Sequence, residues 1–169
     1  MLGYVVAQGR GAGDARLREA AGLLRAQGVP MAGAVQVNVE RDPARKCDMD
    51  LHILDGSEVV RISQNLGAQS RGCRLDPDGL ERAAGLVAAA LERRPAVLIV
   101  NKFGKQELQG RGFRPLIGEA IAMGVPVLTC VHETNLAGFL AFAGDMAERL
   151  PDAPGAIATW CTAQAIAAE

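Results

Sequence analysis

Aromatic side chains are scarce in this chain, at 4% of residues, and the formal net charge is only -1. Both shortages argue against a general nucleic-acid binder, which needs a basic surface for phosphates and rings on which bases stack. Long apolar runs are missing too, since no stretch reaches the roughly 18 residues of a membrane span. The first residues, MLGYVVAQGRG, lack the basic and apolar regions of an export signal. The expectation is a cytoplasmic protein with neither nucleic acid nor membrane as partner. Four cysteines, Cys47, Cys73, Cys130 and Cys161, are widely spaced and form no C-x-x-C pair. That spacing indicates neither a zinc module nor a disulfide framework, and leaves reduced, mostly buried thiols.

What is present suits one globular domain over residues 1–169, with 49% hydrophobic and 22% charged residues. Its most informative stretch is AVLIVNKFGKQELQGRGFR, from Ala96 to Arg114. The β-branched run from Ala96 to Val100 reads as a strand buried on both faces. It discharges at Asn101 into a loop crowded with Lys102, Lys105, Glu107, Arg111 and Arg114.

In chain order, LGYVVA from Leu2 to Ala7 reads as a first strand, followed by the turn Gln8-Gly9-Arg10-Gly11-Ala12-Gly13. A helix follows, with Asp14 expected as its cap and Leu17, Ala21 and Leu24 at helical spacing before Gly28 and Pro30 stop it. A strand, glycine loop and helix start gather backbone N–H groups and a helix dipole at one point, which favours a bound anion. Met31 to Val39 supplies a second strand. Met49 to Leu54 and Glu58 to Ile62, joined by Asp55-Gly56-Ser57, read as an antiparallel hairpin.

The polar segment from Ser63 to Pro77 is long for a compact domain, and in it Arg71 and Arg74 flank Cys73, which favours the thiolate. Asp76 and Pro77 open a helix that ends near Arg94. Phe113 to Met123 forms the next helix and Val125 to Val131 a further buried strand. After His132-Glu133-Thr134-Asn135, a helix with Leu136, Leu140, Ala143 and Ala147 on one face is expected to run towards Pro151. The alanine-rich tail from Ala156 to Ala168 reads as a last helix.

Strands alternating with helices predict a three-layer α/β sandwich, mostly parallel, extended by the antiparallel hairpin. In such a sheet the loops at Gly9 to Gly13, Ser63 to Arg74, Asn101 to Arg114 and His132 to Asn135 gather at the carboxyl edge, where open α/β sheets place their sites.

The block from Ala96 to Phe113 resembles the small P-loop nucleoside-triphosphatases of the cancer-related, thermophile-type family, through Gly104, Lys105, Glu107, Leu108 and Phe113. Most of the chain resembles an uncharacterised bacterial family known as domain of unknown function 2478, through ISQNLG, RGCRLDP and the NKFGKQE-to-GFR block. The resemblance implies a P-loop-like fold, and members of the second family tend to be named alongside molybdate-transport proteins. The metal- and phosphate-holding residues depart from the pattern. Aligning Gly11 and Gly13 with the family's glycines places Asp14 where the phosphate lysine stands and Ala15 where the metal-binding hydroxyl stands. Asn101 and Lys102 replace the acidic pair.

A degenerate P-loop of this kind points to an oxyanion (molybdate, tungstate, sulfate or phosphate) or a nucleotide, bound without efficient hydrolysis. Arg10 and the backbone of Gly9, Gly11 and Gly13 are expected to contact the anion. Arg71, Cys73, Arg74, Asn101 and Arg111 are expected around it, with Lys102 and Lys105 neutralising charge and Glu107 orienting the lysines. Two alternatives stay open: a phosphohydrolase with Glu107 as water-positioning base, and a noncatalytic interaction module with an empty pocket. No metal site is read from the sequence, the cofactor is left open, and a homo-oligomer stays open as well.

Overall fold

The computed structural model describes residues 1–9, 11–40, 47–65 and 74–167. A seven-stranded sheet forms the middle layer: β1 (Leu2–Val6), β2 (Met31–Val39), β3 (Asp48–Ile53), β4 (Val59–Arg61), β5 (Val97–Phe103), β6 (Val127–Val131) and β7 (Ala147–Arg149). The helices are α1 (Ala12–Ala26), α2 (Pro77–Leu91), α3 (Lys105–Leu108), α4 (Arg114–Ala122), α5 (Leu136–Ala143) and α6 (Pro154–Ala167). Strand order is β4-β3-β2-β5-β6-β1-β7. The ladders of β2, β5, β6, β1 and β7 are parallel, while β3 and β4 add the antiparallel hairpin.

Alternation along β5 builds both cores at once, because successive side chains of a strand point to opposite faces. Val97 and Ile99 join Leu17, Leu24, Ile157 and Cys161 beneath α1 and α6, whereas Leu98 and Val100 join Val87, Ile117 and Phe139 beneath α2, α4 and α5. All four of these β5 residues are fully buried. Trp160 of α6 closes over β1 at Gly3, where an added Cβ would lie 2.7 Å from the ring, and its indole N–H donates to Glu148 of β7 at 2.8 Å. No helix among the described residues is long and apolar enough to cross a membrane.

Four local expectations need correction. The cap of α1 is Gly11, whose φ of 75° suits a glycine, and Asp14 lies inside the first turn. β5 runs on to Phe103, so Asn101 and Lys102 belong to the strand, and Lys105 to Leu108 close into the short α3. The helix after Asn135 does not reach Ala147. It ends at Ala143, Gly144 turns the chain at a φ of 53°, and Ala147 pairs with Leu2 in β7.

Candidate functional site

β1 ends at the glycine loop, β5 at Gly104 and β6 at His132, and a pocket of about 430 Å³ opens between these three strand ends. Gly9, Gly11, Gly13, Lys102, Cys130 and His132 are among its walls. Two other hollows, of about 450 and 770 Å³, lie beside Pro30 and over the hairpin, away from the glycine loop. The smaller pocket is the candidate because backbone donors, a helix start and a lysine meet there.

Asp14 organises the pocket wall. Its carboxylate is almost fully buried on the first turn of α1 and accepts from Asn101 Nδ2 at 2.8 Å and Asn38 Nδ2 at 3.4 Å. Lys102 Nζ reaches the same carboxylate, 2.9 Å from Oδ1 and 3.2 Å from Oδ2, and Gln36 Oε1 at 3.4 Å. Two buried polar groups are thus satisfied by charge-assisted bonds, as burial demands. Asn101 also accepts the backbone N–H of Gln36 at 2.8 Å through Oδ1. The β2–β5 ladder has its last paired residues at Ala34 and Val100, and this side chain continues the link one residue further.

Gly13 is required by packing: a Cβ there would sit 2.3 Å from Cys130 Sγ. Burial pushes the Cys130 thiol up, so it stands in the wall as a neutral group. His132 Nδ1 lies 2.9 Å from the Thr134 hydroxyl and 3.3 Å from the backbone nitrogen of the same residue, which holds the ring at the start of the turn after β6.

The remaining expected site residues lie elsewhere. Arg74 donates to the carbonyls of Gln64 at 3.2 Å and Cys47 at 3.0 Å, and its guanidinium is 3.7 Å from Asp48, so it staples the base of the hairpin. Lys105 is exposed on α3, and Arg111 is exposed and donates to Gln109. The described pocket wall includes none of these three. Arg10, Arg71 and Cys73 lie outside the described residues. Asp14 as organiser, Gln36, Asn38 and Cys130 were not expected, whereas His132 and Asn135 come from a strand-end loop expected at this edge. The two amides of β2 were the available signal, since they interrupt the apolar run MAGAVQVNV just where it reaches the sheet edge.

Glu107 does not orient the lysines. It is buried, and its oxygens accept the backbone N–H of Gly104 at 2.9 Å and of Phe113 at 3.0 Å, fastening the chain around α3. Burial raises its carboxyl above the ordinary range, while the N–H groups of Phe113 and Gly104 pull the other way. A raised folded value means that its contribution to stability is full below the unfolded value of about 4.3 and is lost as pH rises through the folded one. Glu107→Gln turns an amide NH₂ towards one backbone donor and should cost about 1–3 kcal/mol at acid pH. The gap to wild type should narrow as pH rises, read from urea midpoints. A gap that widens with pH would contradict the raised value.

A divalent metal does not fit this donor set. Among the described residues no group of three or more His, Cys, Asp and Glu side chains is placed to hold a metal ion, and the Asp14 carboxylate is taken up by two amides and an ammonium.

The fold matches the crystal structure of THEP1 from the hyperthermophile Aquifex aeolicus, with a TM-score of 0.61 over 92% of this chain and 90% of that one, at 15% identity. The shared architecture is that of the P-loop nucleoside-triphosphatases. In sequence, 128 residues are 36% identical to "Molybdenum import ATP-binding protein ModC 2" of Bradyrhizobium diazoefficiens. The matched stretch is 76% of this chain but only 14% of that relative's length. Residues 2–160 match the model of one family along nearly their whole course, and the chain therefore belongs to the family described as "Protein of unknown function (DUF2478)".

Proposed function

We propose that the pocket binds a phosphate-bearing nucleotide or a free tetrahedral oxyanion in the cytoplasm, without efficient hydrolysis. The observation that carries this reading is the meeting of the glycine loop, the start of α1 and the Lys102 ammonium around one pocket. Backbone N–H groups at a helix start hold an anion without a lysine of their own. Productive triphosphate hydrolysis needs much more: metal ligands, a phosphate lysine and a positioned water together. The name of the 36% identical relative puts both ATP and molybdate among the ligands to test, and molybdenum handling is the physiological setting we infer.

The hydrolase reading is disfavoured by the burial of Glu107, whose oxygens accept the backbone N–H groups of Gly104 and Phe113. An interaction module with an empty pocket remains the rival that the ligand test decides.

One or more of molybdate, tungstate, sulfate, phosphate, ADP and ATP should raise the melting temperature in the presence of EDTA. A ligand at about 100 times its Kd stabilises by roughly 2.7 kcal/mol, and about 2–4 °C per kcal/mol makes that a readable shift. Absence of any shift across the panel would favour the interaction module. A shift confined to ATP with magnesium, accompanied by phosphate release, would establish the hydrolase instead.

A further inference from the structure

The charges of this pocket are exchanged relative to a working P-loop. A carboxylate, Asp14, stands on the helix where the lysine is expected, and a lysine, Lys102, stands on the strand where an acid is expected. The two side chains meet, with Lys102 Nζ 2.9 Å from Asp14 Oδ1. Asp14 is buried, whereas the Lys102 side chain is 48% exposed and forms part of the pocket wall. An ammonium has three N–H donors. Asp14 and Gln36 engage it from within the fold, and the same side chain forms part of the pocket wall.

We propose that Lys102 is a resident cation: it is anchored by Asp14 and presented to the ligand in place of a divalent metal, so the site takes metal-free phosphate groups and magnesium weakens their binding. This rests on the phosphate-binding reading above and goes beyond it by fixing the charge state of the ligand. The argument is one of charge balance. Asp14 and Lys102 cancel, leaving the partial positive charge of the α1 start and a polarised ammonium to meet the anion. A metal-free phosphate adds negative charge to that surface. A magnesium complex instead brings a second cation beside Lys102, with no carboxylate left over to hold it, and like charges brought together are costly.

The test is calorimetric titration of the full chain with ADP and with inorganic pyrophosphate, each in EDTA and in excess magnesium. Both probes chelate magnesium, and comparing them separates a nucleotide site from a bare phosphate site. Both are expected to bind roughly tenfold or more tightly in EDTA, a factor that corresponds to about 1.4 kcal/mol. Lys102→Met should reverse the sign. With its ammonium gone, Asp14 is an unpaired carboxylate beside the ligand, so metal-free binding falls and magnesium now helps. A melting curve of that variant confirms folding. The wild-type comparison stands even if the variant does not fold. Wild-type binding that magnesium strengthens or leaves unchanged overturns the resident cation but keeps the phosphate site. A folded Lys102→Met protein that magnesium still weakens overturns it as well. No binding in any arm removes the resident cation together with the nucleotide and pyrophosphate site, and leaves the free oxyanion to the melting panel.

Discussion

Gly33→Ala should leave the protein unfolded, or folded with a loss of about 4–5 kcal/mol or more, the range reserved for gross steric conflicts. Gly33 lies in β2 with a φ of +119°, and a Cβ there would stand 1.9 Å from the carbonyl oxygen of Ile99, 2.7 Å from its carbon and 2.8 Å from its nitrogen. These are backbone atoms of the neighbouring strand, paired with Gly33 in the β2–β5 ladder, so no rotamer change relieves them. Relief requires the strands to part. Total stability of a domain is only about 5–15 kcal/mol, and a loss of this size consumes much of it. Gly22→Ala is the control: it is exposed on α1 with no neighbouring atom within 4 Å, and alanine there should be stabilising by up to about 1 kcal/mol. Urea midpoints of the two variants would check this, and a Gly33→Ala protein as stable as wild type would mean that β2 and β5 are not so closely apposed.

Asn101→Asp should destabilise this chain by about 2–4 kcal/mol near neutral pH, the scale of a two- to three-unit displacement of a buried carboxyl. The amide nitrogen of Asn101 donates to Asp14 at 2.8 Å, and a carboxylate oxygen in that place would face another across the same gap. Two such groups cannot both ionise, so one pKa of the pair rises. A carboxyl with a raised folded value keeps its stabilising contribution below the ordinary aspartate value of about 3.9 and loses it as pH rises through the folded one. The deficit should accordingly shrink on acidification, measured by urea unfolding from about pH 8 to about pH 4.5. A deficit that ignores pH would show that the two side chains do not meet. Asp14, Asn101 and Lys102 therefore form a set in which each residue limits its neighbours.

The parallel sheet and its hairpin were legible because β-branched runs bounded by Gly, Pro and Asp-Gly carry a local signal. Three residues of mixed character, Ala147 to Arg149, carry none, and their pairing with β1 is decided by packing beneath Trp160. The position of the glycine loop and Lys102 beside the pocket was legible from sequence, since they end or follow predicted strands. Asp14 read as an isolated helix cap because its partners lie 24, 87 and 88 positions away. For the same reason Glu107 looked like chemistry: a carboxylate among lysines gives no hint, in one dimension, that two backbone N–H groups will claim it.

The glycine loop is anchored on β1, and among the described residues β1 has its ladder partners in β6 and β7, which begin at Val127 and Ala147. A strand whose contacts are so distant in sequence pays its loop-closure entropy before any pairing rewards it, and closes slowly. During synthesis the apolar LGYVV segment must therefore wait, unpaired, until most of the chain has emerged. The pocket can take its shape only when the first strand slots between the last two, so a bound ligand would report that folding has gone to completion.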